Sequence, residues 1–156
     1  MIRSLTYFST GYTEAPAFIA KGGGGFGEIR FHATCLLIEH SQEGYLLFDT
    51  GYTPRFHEIT RRWPYRIHRW STPVVAKSEW TIAQQLTEKG IAPSDIRKII
   101  VSHFHSDHVG GLKDFPEAEI WCSRASREYF SDKKGFGAVK HGFLPDLLPE
   151  NLATRV

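Results

Sequence analysis

Ser102-His103-Phe104-His105-Ser106-Asp107-His108-Val109-Gly110-Gly111 is the stretch on which the reading of this chain turns. It follows directly on the apolar run Ile99-Ile100-Val101 and has the form H-x-H-x-D-H, closed by a glycine pair. Imidazole nitrogen and carboxylate oxygen are donors that zinc and other first-row metals favour at hydrolytic sites. In extended backbone, side chains two residues apart project to the same side. His103, His105 and Asp107 can therefore face one cavity, and His108 can join them from the following turn. Gly110 and Gly111 allow backbone to pass close to a metal without side-chain obstruction. Histidine is 8 of the 156 residues, so a solvated histidine-rich loop accounts poorly for this order of donors and a metal motif accounts for it well.

Outward from the motif, the chain reads as alternating strands and helices. Ile2 to Phe8, Glu28 to Glu39 and Tyr45 to Phe48 have strand character, the last two joined by the turn Ser41-Gln42-Glu43-Gly44. The glycine run Gly22 to Gly25 reads as a loop; no Lys-Ser or Lys-Thr pair follows it, so it is not a phosphate cradle. Ser78 can cap a helix reaching about Lys89, with Trp80, Ile82, Ala83 and Leu86 on its core side and Gly90 at its end. Strands over Lys98 to Val101 and Ala118 to Cys122 follow, and Ser123 can cap a helix through Phe130. The order β-β-β-α-β-α-β-α suits a layered α/β fold. The metal motif leaves the carboxyl end of a strand, a usual position for ligand sites in such folds.

These residues carry a family resemblance. The chain resembles the metallo-β-lactamase-fold metallohydrolase superfamily, and within it the lactone-hydrolysing, quorum-quenching N-acyl homoserine lactonase-like branch. The likeness runs from Cys35-Leu36-Leu37-Ile38-Glu39-His40 through Leu47-Phe48-Asp49-Thr50-Gly51 and Gly90-Ile91-Ala92-Pro93-Ser94-Asp95-Ile96 to Phe115-Pro116-Glu117-Ala118. H-x-H-x-D-H is highly specific for the superfamily; the flanking segments are weakly specific for the branch. The resemblance implies an αβ/βα layered sheet with covering helices and a pair of zinc ions, with iron or manganese as substitutes. By it, His103 and His105 hold one metal, and Asp107 and His108 hold the second. A metal-bound hydroxide attacks a small ester or lactone, Asp107 relays a proton to the leaving group, and Asp49 orients the ligands. The bare residues leave Asp49 open between that role and a turn-forming Asp in D-T-G.

The same family builds its fold from two similar halves, and the second half supplies further ligands. His141 is the only histidine after His108. It comes sooner than the family's next ligand and reads more simply as a surface residue in a Gly-flanked loop, so it is a secondary metal candidate. Asp132 and Asp146 read as ordinary loop residues. The expectation is a single domain over residues 1–156 that corresponds to the N-terminal portion of the family fold. Pro149 to Val156 shows no recognisable closing helix or strand. Splitting such a fold is expected to expose an apolar face.

Composition excludes little. Hydrophobic content of 41% and charged content of 23% are those of a soluble globular protein, and a net charge of +2 gives no basis for nucleic-acid or membrane binding. Cys35 and Cys122 lie in apolar strand-like runs and read as buried thiols, with a disulfide left open. No segment has signal-peptide or membrane-spanning character, so a cytoplasmic protein is expected. The other unusual stretch, Arg55 to Trp70, interleaves arginines and aromatics. It fits a surface loop packed back on the body, a lid over a pocket, a subunit interface, or a nucleic-acid contact. The expected partner is a small-molecule substrate, with a homo-oligomer possible. An RNA-processing phosphodiesterase, an iron-dependent thiol-oxidising enzyme and an inactive half-fold acting as an interaction module are the competing readings.

Overall fold

A computed structural model describes residues 1–17 and 27–156; the Gly22 to Gly25 run lies outside the described residues. Six strands form one sheet: β1 (Ile2–Pro16), β2 (Glu28–His40), β3 (Gly44–Phe48), β4 (Val74–Val75), β5 (Ile96–Val101) and β6 (Glu119–Cys122), in the order β4-β1-β2-β3-β5-β6. The first four pair antiparallel, whereas β3, β5 and β6 run parallel. Among the described residues the helices are α1 (Arg55–Ile59), α2 (Arg66–Ser71), α3 (Ile82–Glu88), α4 (Ser106–Val109), α5 (Arg124–Ser131), α6 (Gly135–Lys140) and α7 (Leu152–Arg155).

The strand register explains where the core lies. Because side chains alternate across a pleated strand, directly paired residues form rows on one face. The row Leu37, Leu47, Ile99 and Ile120 is buried throughout. It packs with Phe8 and Cys35, with Ile82 and Leu86 of α3, and with Leu112, Phe115 and Leu147. The opposite face carries the row Tyr7, Leu36, Phe48, Ile100 and Trp121. Its ends are open, with Tyr7 60% and Trp121 50% exposed. That face is apolar, half-buried along Leu36, Phe48 and Ile100, and open at its two ends among the described residues.

Several local details differ from the sequence reading. Ser78–Trp80 forms a short 3-10 turn, and Thr81 caps α3 instead, its Oγ1 accepting from the Gln84 N–H. The following Ile82 and Leu86 are fully buried, so the expected core side is kept. β1 continues well beyond Phe8, with a register shift between Ser9 and Tyr12, and its far part pairs with the short β4. The terminal stretch closes in α7, whose Arg155 guanidinium donates to the Phe115 and Ala118 carbonyls. Both cysteines are free thiols: Cys35 is buried, where desolvation pushes its pKa up, and Cys122 is half-buried. Among the described residues no helix is long and apolar enough to cross a membrane.

Truncation of the covered row should be costly and truncation of the open row should not. Leu47→Ala is expected to remove about 2–5 kcal/mol of stability, whereas Trp121→Ala changes it by about 0.5 kcal/mol or less. Chemical denaturation of the two variants checks this, and equal losses would mean that the core is misassigned.

Candidate metal centre

The site forms where two parallel strands end side by side. Past β3 the chain enters Asp49-Thr50-Gly51, and past β5 it enters Ser102-His103. The ladder continues one step, with the Asp49 N–H donating to the Ile100 carbonyl at 2.9 Å. The two loops then close on each other. Thr50 donates through both its N–H (2.7 Å) and its Oγ1 (2.9 Å) to the His108 carbonyl, and Thr53 Oγ1 donates to the Gly110 carbonyl at 3.1 Å.

That closure accounts for the glycine pair. A Cβ on Gly110 would lie 2.5 Å from the Gly51 carbonyl oxygen, and one on Gly111 would lie 2.7 Å from that of Thr50. The glycines admit the neighbouring loop, and this is a reason for them that proximity to a metal does not supply. Gly51 has φ +66°, and a Cβ there would collide with the Thr10 side chain.

Asp49 is the residue that orders the centre. It is 2% exposed and has φ +59°, a left-handed conformation that Asp tolerates better than most side chains. Its carboxylate accepts from the Ser102 N–H (2.8 Å), from Ser102 Oγ (2.7 Å) and from His108 Nδ1 (2.7 Å). A buried carboxylate requires such donors. His108 is also paired through Nε2 with Asp107 at 3.2 Å. Burial opposes the charge on His108, but hydrogen bonds to Asp107 and Asp49 outweigh it and push its pKa up to about 9. Asp107 is likewise opposed by burial, yet His108 holds its carboxyl below the ordinary value.

The three imidazoles of the motif touch. The ring centroids of His103 and His105 are 4.4 Å apart, and those of His103 and His108 are 4.1 Å apart. Burial first, and then neighbouring imidazoles, lower the pKa values of His103 and His105. Neutral imidazole is the metal-binding form. The donor chemistry therefore fits a metal, although among the described residues no three His, Cys, Asp or Glu groups surround a common point. Both ring nitrogens of His108 are engaged by carboxylates.

His141 lies next to this cluster. It is half-buried, its Nδ1 is 2.8 Å from the Tyr129 hydroxyl, and its charge acts on His105. The adjoining Gly142 approaches the His105 ring, where an added Cβ would be 3.6 Å from Cδ2. Asp132 is an exposed residue that pairs with Lys133 at 3.6 Å. Arg55 to Trp70 folds into α1 and α2, which bury Phe56 and His68 and leave Trp63 and Trp70 exposed. Arg55 is tied to Asp114 at 2.7 Å. Sequence reasoning missed Ser102, Tyr52, Ser106 and His68. Ser102 was foreshadowed only by its position between a strand and the first histidine; no periodicity marks the other three.

The sequence pattern of the Metallo-beta-lactamase superfamily matches residues 29–152, and the chain belongs to that superfamily. It is 31% identical over 75 residues to the N-acyl homoserine lactonase AiiB of Agrobacterium fabrum, a match covering 48% of this chain and 27% of that protein. It is 30% identical over 100 residues to the probable metallo-hydrolase Rv2300c of Mycobacterium tuberculosis, covering 58% and 28%. A crystal structure of a quorum-quenching N-acyl homoserine lactone lactonase superposes with a TM-score of 0.68 at 24% identity, over 93% of this chain and 55% of that one. The chain thus spans little more than half the length of that structure, and its fold is the same.

An NMR titration of the metal-free protein should separate the three imidazoles. His108 is expected to titrate near pH 9, and His103 and His105 below the ordinary histidine value. Asp49→Asn should lower the His108 pKa, because a neighbouring negative charge that favours the imidazolium is lost. Three coincident titrations in the wild type would refute this ordering.

Proposed function

We propose that this centre is the metal-binding part of a hydrolase that opens small esters, with lactones as the substrate class. The observation that carries the reading is the contact of His103 with both His105 and His108, beside Asp107 and with Asp49 on His108 Nδ1. The relatives named as N-acyl homoserine lactonases support the choice of substrate.

In this reading His103 and His105 hold one metal, Asp107 and His108 hold a second, and zinc suits the imidazole-carboxylate donors. Such ions supply Lewis acidity and a water-derived nucleophile at neutral pH. Asp49 fixes the His108 ring by accepting from Nδ1, which leaves Nε2 as the ligating nitrogen. Ser102 supports Asp49 with two hydrogen bonds, so the carboxylate does not turn away. Asp107, paired in this structure with His108, would hold the second metal, and its carboxylate would take a proton from the attacking water and pass it to the leaving alkoxide. His141, whose Nδ1 lies 2.8 Å from the Tyr129 hydroxyl, is outside the ligand set in this reading. The small-molecule reading also suits α1 and α2, which turn Phe56 and His68 into the body of the protein.

Elemental analysis of the purified chain should find about two metal ions per chain, as in two-metal hydrolytic sites. His105→Ala should reduce metal affinity and N-acyl homoserine lactone opening together, by about 100-fold or more, beyond the loss caused by an orienting partner. His141→Ala should leave metal content unchanged. A metal-free wild type, or undiminished metal in His105→Ala, would overturn the assignment.

A further inference from the structure

Beneath the centre lies a set of buried polar side chains to which the proposed chemistry gives no role. Tyr52 follows β3, His68 lies on α2 and Ser106 opens α4, and all three are buried. His68 Nε2 is 3.2 Å from Ser106 Oγ, and Tyr52 lies buried beside the same serine, where burial pushes its phenol pKa up. Phe56 packs edge-on against both rings, at 5.7 Å from Tyr52 and 5.4 Å from His68. Two segments 38 residues apart therefore meet at one hydroxyl.

Ser106 sits between His105 and Asp107, so whatever holds it sets the direction of both. The α4 turn has only four residues and no side-chain cap of its own. A single helical turn does not hold its own conformation. Ser106 is instead held from outside, its N–H donating to the Gly142 carbonyl at 3.2 Å and its side chain meeting His68 Nε2. Burying three polar groups is costly unless each is satisfied, and apolar side chains of similar shape would fill the space at no greater cost. Packing alone does not call for this set.

We infer that His68, acting through Ser106, is a positioning residue that fixes the α4 turn so that Asp107 and His108 are presented to a metal. The inference rests on the proposed metal centre. It also gives the basic aromatic segment a role, since that segment carries His68 into the interior under the motif.

The test compares His68→Phe, His68→Gln and Ser106→Ala in the full 156-residue chain. Zinc affinity is measured by competition with a chelator, and amide hydrogen exchange is followed at residues 106–109. His68→Phe is expected to lose about 10-fold or more in zinc affinity, as for other ligand-orienting partners, and to speed exchange in that turn alone. His68→Gln, which keeps an N–H near the Nε2 position, should restore both. Ser106→Ala should match His68→Phe, and the double variant should be no worse than either, because both changes break one interaction. Unchanged exchange in the turn with His68→Phe, or failure of His68→Gln to restore what is lost, would overturn the positioning role. A wild type that binds no zinc while the exchange results hold would instead overturn the metal centre and leave His68 as an organiser of the turn.

Discussion

The constraint on which the rest depends is the buried carboxylate of Asp49. Placed at the end of β3 in a left-handed conformation, it has to be satisfied, and its three donors come from the loop after β5. Satisfying one charge therefore joins the ends of two parallel strands and aims a histidine. The hydrogen bonds of Thr50 and Thr53 and the two close-approach glycines follow from the same requirement, because the loops must touch for the carboxylate to reach. The stabilisation of the loops and the orientation of His108 are thus one structural fact.

The sheet presents a second constraint. One face carries an unbroken buried row from Leu37 to Ile120, and the other carries Tyr7, Leu36, Phe48, Ile100 and Trp121 with open ends. Strands apolar on both faces are built for layers on both sides. The candidate centre lies at the carboxyl edge of that sheet, so a second layer would sit beside the histidines.

Legibility from sequence follows range. The strands β2 and β3 and the α5 cap at Ser123 depend on local periodicity and capping, and they stand where the sequence puts them. The α3 start was displaced from Ser78 to Thr81 because both residues can cap, and only packing of Ile82 decides between them. The motif histidines were legible because four donors lie within six residues. The contact of Asp49 with His108 joins positions 59 apart, so pattern alone left it level with a turn role. His68 was illegible as a site neighbour because its partner lies 38 residues away and its own segment is dominated by arginines and tryptophans.

That segment shows how a conspicuous composition can mislead. The exposed Trp63 and Trp70 draw attention to its surface, yet Phe56, Thr60 and His68 are what it contributes to the body of the protein. Thr60 satisfies itself by donating to the Phe56 carbonyl at 2.6 Å, which completes the turn of α1. His68 has no such local solution and spends its Nε2 on Ser106. A buried polar group that finds its partner across the fold constrains two elements at once, so His68 ties α2 to the turn bearing Asp107 and His108.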